Sequence, residues 1–217
     1  MDRPLLHIIS HTDLDGVAAA ALAWHVKGGR VARVSLTGYG EVDALILETL
    51  ASGKEPLVLD LFCQKEQTID EVDRLYDEAR PPFLFDHHKS TFERYGNRKW
   101  AVIDTNYCGA LVYWNWMSER AQDSRTKEAL ARLEPIVRIA NDRDLWLGQI
   151  PESRLWQERG ADARGVRRRF GVHGASGGAL RRGEGAYMEA RRGAGLPLRR
   201  DSRIRRRFRL LRPAARP

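Results

Sequence analysis

Over the first 150 residues, short apolar runs alternate with longer mixed blocks. LLHIIS (residues 5–10) is brief and apolar, and GVAAAALAWHV behind it is rich in strong helix formers. VARVSL is β-branched, EVDALILETLA has helical spacing, and PLVLDLF has the length and content of a buried strand. QKEQTIDEVDRLYDEA reads as an amphipathic helix with Ile69, Val72 and Leu75 on one face. PFLFD and WAVID add strands; CGALVYWNWMSERA and TKEALARLEPIVRIA add helices. Strands and helices that alternate through short connections predict βαβ units, and so an α/β fold with a mostly parallel sheet flanked by helices. Strands apolar throughout, such as LLHII and LVLDL, suit a sheet covered on both faces.

The alternation stops near Trp156. From there to Pro217 the chain is rich in Arg and Gly, poor in apolar residues and weak in periodicity, and ten of its 19 glycines lie there. Such a composition buries too little apolar surface to offset the entropy of ordering, so a poorly ordered basic tail is expected. The domain reading is residues 1–150 as one folded unit and residues 151–217 as the tail.

Charge sharpens this division. The net charge of +8 hides two unlike parts: residues 1–150 hold 18 Lys+Arg against 23 Asp+Glu, a net of −5, and residues 151–217 hold 19 Arg and no Lys against 6 Asp+Glu, a net of +13. Three readings of the tail stand side by side. It is a basic arm for nucleic-acid phosphates, a short degenerate second domain, or a GC-rich gene segment translated out of frame, which would explain why lysine vanishes. Two cysteines, Cys63 and Cys108, make no disulfide framework and fit a reducing cytoplasm. No apolar run approaches a membrane span, and the N-terminus does not read as a secretory signal.

In a parallel sheet, ligands bind beyond the carboxyl ends of the strands. There the sequence sets His11, Thr12, Asp13 and Asp15 after LLHIIS, Asp60 after LVL, and Asp86, His87 and His88 after FLF. Asn141, Asp142, Arg143 and Asp144 follow the helix ending PIVRIA. Each residue alone has an ordinary reading: Asp15 as a helix cap, the His-His pair as a turn. Asp60 is harder to set aside, because an unpaired carboxylate inside an apolar strand is costly. Several carboxylates at one edge repel, and divalent cations relieve that repulsion. Oxygen ligands mixed with imidazole favour Mn²⁺, with Mg²⁺, Fe²⁺ or Co²⁺ as alternatives.

In that order, HTDLDG, VLDLF, FDHHKS and ANDRDLW resemble the four motifs of the DHH phosphoesterases, over roughly residues 5–147. That family includes RecJ-like exonucleases, oligoribonucleases, cyclic-dinucleotide phosphodiesterases and a type of inorganic pyrophosphatase. The resemblance implies a two-metal hydrolase. His11 and Asp13 would hold one ion, Asp15, His87 and Asp142 the second, and Asp60 both. His88 would face the substrate phosphate, and Asp86 would orient the histidines. For the last ligand Asp144 is the alternative, with Asp142 preferred for its place just after IVRIAN.

Thr105 and Asn106 precede the helix CGALVYW, whose free N–H groups could hold a phosphate; an ordinary capped helix is the competing reading. Trp114 and Trp116 read as core or domain-interface residues rather than base-stacking platforms. The function expected is hydrolysis of phosphodiesters in short oligonucleotides or related nucleotides by a metal-activated water. The alternatives are a phosphoanhydride hydrolase acting on pyrophosphate or polyphosphate, and a nucleotide- or nucleic-acid-binding protein without turnover. The family's usual second domain, with its Gly-Gly-His-type motif, has no good match here; GVHGASGG is the nearest stretch. Substrate and oligomeric state are left open.

Overall fold

Five parallel strands, β1 (Leu6–Ser10), β2 (Val31–Leu36), β3 (Glu55–Leu59), β4 (Leu84–Asp86) and β5 (Ala101–Ile103), lie side by side in the order β2-β1-β3-β4-β5. The helices are α1 (Leu14–Lys27), α2 (Val42–Ala51), α3 (Glu66–Leu75), α4 (Lys89–Tyr95), α5 (Gly109–Arg120) and α6 (Ser124–Asp144). This computed structural model describes residues 4–151, except residue 79, together with Ser153. The Arg- and Gly-rich tail, and every reading made for it, lies outside the described residues.

The expected α/β architecture is observed, and side-chain alternation along the strands builds it. Ile8, Leu57, Leu59 and Phe85 face a core shared with α1, α5 and α6. Their neighbours Ile9, Val58 and Leu84 face the opposite core, with Val42 and Ile46 of α2 and Ile69 and Val72 of α3. Helix α1 is buried from Asp15 to Ala23, and its run of alanines lets it pack closely between the sheet and α5 and α6. No helix among the described residues is long and apolar enough to cross a membrane.

Four local features differ from the sequence reading. Leu75 is the last residue of α3 and is 41% exposed, because the chain turns extended at Tyr76 before a further turn can pack. Helix α4 is a single short element that buries only Thr91 and Tyr95, too little for a periodic signal. Strand β3 stops at Leu59, and Asp60 takes a left-handed backbone with φ 60°. Helix α6 passes through Pro135 and continues to Asp144, so Asn141, Asp142 and Asp144 stand on its last turns, not beyond it.

Candidate metal centre

The order β2-β1-β3 places a topological switch between β1 and β3, where the chain leaves the two strands in opposite directions and opens a crevice. The residues after both strands face that crevice. Asp13 caps α1: its Oδ1 accepts the Gly16 N–H at 2.9 Å, and its Oδ2 meets His11 Nδ1 at 2.7 Å. A Cβ at Gly16 would lie 2.5 Å from the His11 carbonyl oxygen, so only glycine lets the helix start this close to the strand end.

Asp15 is buried and points across the molecule. Its carboxylate accepts the N–H groups of Gly109 at 2.6 Å and Ala110 at 2.8 Å. The start of α5, expected to offer free N–H groups to a phosphate, is therefore already occupied by a carboxylate of the chain. The neighbouring Cys108 N–H donates to Asn141 Oδ1. Thr105 and Asn106 are exposed, and Asn106 is turned to Asp104 Oδ1 through both its backbone and side-chain nitrogens. Nothing in this arrangement draws those two residues to the carboxylates.

Asp60 sits at the centre. It is 1% exposed, its Oδ1 is 3.3 Å from His87 Nε2, and its Oδ2 is buried with no hydrogen-bond partner. Burial, and then the charges of Asp15 and Asp13, push its carboxyl well above the usual range. The same His87 Nε2 reaches Asp15 at 3.8 Å and Asp144 at 3.5 Å. Burial and Asp15 raise Asp144 as well. Among the described residues, the ion-pair partners of Asp13, Asp15, Asp60 and Asp144 are histidines alone.

Asp86 ends β4 and is fully buried. Its Oδ1 accepts the His87 N–H at 2.7 Å and bonds His88 Nδ1 at 2.8 Å. One carboxylate thus holds the His88 ring by its Nδ1 and the His87 backbone by its N–H. The Asp86 bond raises His88 above its ordinary value, and the Asp13 bond does the same for His11.

Asp142 and Asp144 have different surroundings in the structure. Asp142 is buried with its carboxylate turned away, accepting the N–H groups of Gln149 at 2.7 Å and Ile150 at 3.2 Å and the Ser153 hydroxyl at 2.5 Å. It ties the segment after α6 to the helix end. Asp144, two positions on and about 200° around the helix, is the acid that meets His87.

Two groups of donor atoms result, each with its atoms within 4.8 Å of one another: His11, Asp13 and Asp60, and Asp15, His87 and Asp144. Asp60 also groups with Asp86, His87 and His88. An orphaned buried carboxylate oxygen amid an excess of acids and imidazoles fits divalent cations.

No family model matches the chain. A stretch of 151 residues is 27% identical to a 3′,5′-cyclic-nucleotide phosphodiesterase of Helicobacter pylori, covering 64% of this chain and 42% of that protein. The fold is similar to that of a crystal structure of an uncharacterized protein from Helicobacter pylori, with a TM-score of 0.55, 24% identity, and coverage of 67% of this chain and 44% of that one. The chain spans less than half the length of either.

Two residues of the site, Gly109 and Tyr39, escaped sequence reasoning, and the role of Asn141 was not foreseen. Gly109 is needed because a Cβ there would stand 2.9 Å from the Asp60 Cβ and 3.2 Å from Asp15 Oδ2. Asn141 anchors the residue before α5. Tyr39 stands with its ring 5.9 Å from His11 and 6.4 Å from His88. Burial and the charges of Asp86, Asp60 and Asp13 push its phenol up to about 12, so it stays neutral. The only sequence cue for Tyr39 is its place in the turn TGYG after β2. Trp114 is partly buried and donates to the Leu130 carbonyl, and Trp116 packs edge-on to Phe85.

Proposed function

We propose that residues 5–147 form the catalytic part of a two-metal phosphodiesterase of the DHH kind, acting on short oligonucleotides or related nucleotides. Asp60 carries the reading: a buried carboxylate with an orphaned oxygen, standing in a left-handed backbone between two groups of metal-ligating side chains. A non-glycine residue held there costs about 1–3 kcal/mol, a strain of the kind that collects at functional sites. The likeness to a protein named as a phosphodiesterase supports the same class of reaction.

His11, Asp13 and Asp60 would hold one cation; Asp15, His87, Asp144 and Asp60 would hold the other. Mn²⁺ suits this mixed oxygen and imidazole set, with Mg²⁺ or Co²⁺ as alternates. Such cations supply an activated water and offset the charge that grows on the phosphoryl oxygens. The chain's own residues do the rest. Asp86 holds His88 by Nδ1, so that Nε2 meets the phosphoryl group on the open side. Asp15 is held in place by the α5 N–H groups, which keeps its charge directed at the centre. The Arg-rich residues 151–217, at net +13 (19 Arg against 6 acids), would attract a polyanionic substrate.

The test is Mn²⁺-dependent hydrolysis of a small generic phosphodiester by the full chain, with Asp60→Asn as control. Hydrolysis lost in the control supports the reading. Undiminished hydrolysis by Asp60→Asn refutes the shared role of that carboxylate.

A further inference from the structure

At the opposite end of the sheet, the beginnings of β1, β3 and β4 form the floor of a second cavity of about 350 Å³. It includes Leu6, Pro56 and Phe83 from that end of the sheet, and Tyr113 and Trp116 from α5. Its floor is the N-terminal end of these strands, whereas the acids and histidines of the metal centre follow their C-terminal ends, so it belongs to a different site. The geometry points to a binding site for a planar aromatic anion.

The charge of the lining selects an anion. Lys27, Arg30, Lys54 and Arg80 line the cavity against a single carboxylate, Glu55. That carboxylate is shared: it takes Arg30 at 3.2 Å and Arg80 at 3.1 Å. Among the described residues Lys54 has no ion-pair partner, and its ammonium donates to the Ser52 hydroxyl. The rim therefore stays positive on a molecule whose first 150 residues are acidic (18 Lys+Arg against 23 Asp+Glu).

The body of the ligand follows from the walls. Phe83, Tyr76, Tyr113 and Trp116 offer aromatic surface, and a cavity of this volume is within the range that takes small organic molecules. A flat apolar body with an anionic group meets all these conditions.

The probe pair is 1-anilinonaphthalene-8-sulfonate and its uncharged analogue N-phenyl-1-naphthylamine, titrated into the full chain with EDTA present. Energy transfer from the tryptophans to the bound probe reports binding, and the charge-reversal variants locate it. The sulfonate should bind saturably and at least 10-fold more tightly than the neutral analogue. Lys54→Glu with Arg80→Glu should weaken the sulfonate at least 10-fold. Lys54→Glu alone breaks no ion pair and keeps the test readable if the double variant fails to fold. Equal affinity for both probes would make the cavity an apolar gap. Sulfonate binding indifferent to the charge reversals would place it on the arginines of residues 151–217, and either result overturns the proposal.

Discussion

Gly109 donates its N–H to Asp15 Oδ2 at 2.6 Å across 94 residues of sequence, and its missing Cβ lets Asp60 close to within contact. One glycine thus joins the first helix, the central strand end and α5. The N-terminal charge of α5 partly neutralises Asp15, which otherwise stands buried among acids.

Gly109→Ala should therefore damage the centre without touching a ligand. The new methyl meets the Asp60 Cβ and the Asp15 carboxylate, neither of which can swing away. A destabilisation of about 1–3 kcal/mol is expected, as for overpacked cores. Calorimetric titration should show Mn²⁺ affinity falling at least tenfold. Unchanged affinity would mean that α5 can shift freely.

Asp142 and Asp144 should separate cleanly. Asp144→Asn should weaken Mn²⁺ binding and leave the melting temperature of the metal-free chain unchanged or raised, because it removes an acid from beside Asp15 and His87. Asp142→Asn should leave Mn²⁺ binding intact but cost about 1–3 kcal/mol, the usual loss when a charged acceptor is removed from buried donors. Metal titration and chemical denaturation of both variants read the two effects apart.

Asp60→Asn should raise the metal-free melting temperature. The folded state holds this carboxyl above its ordinary value, so its ionisation opposes folding. Stability from this group is present below the unfolded value of about 3.9 and is lost as pH rises toward the folded value. At pH 8 in EDTA the variant should melt higher than the wild type. On adding Mn²⁺ the wild type should gain and the variant should not.

His7 lies away from the centre and gives the opposite dependence. Its ring is bracketed by Thr49 Oγ1 at 2.6 Å and Ser35 Oγ at 2.8 Å. Burial, and then Arg33, lower it to about 4 from 6.5. Since the folded value is depressed, the unfolded chain takes the proton first, and stability falls as pH drops from about 6.5 toward 4. His7→Gln keeps the hydrogen-bonding capacity and should flatten the urea midpoint over that window.

Much of the fold was legible because parallel strands buried on both faces leave unbroken apolar runs, as LLHII and LVL do. Strand-end acids and histidines were legible because they close apolar runs at several strand ends at once, which the ordinary reading of each residue alone does not explain. Helix α4 was not legible: seven residues with two buried positions carry no period. Tyr39 was not legible either, since a tyrosine between glycines looks like any turn.

The sequence by itself determined the α/β alternation, the strand ends that carry acids and histidines, and the identity of most of those gathered there. Those follow from local periodicity and from the cost of burying polar groups. Only the tertiary structure set Asp144 beside His87 and turned Asp142 to the segment after α6, assigned the α5 N–H groups to Asp15, and brought Tyr39 beside two histidines. The physical reason is that these depend on which way a helix end points and how closely two elements approach. Both are set by packing between segments far apart in the chain.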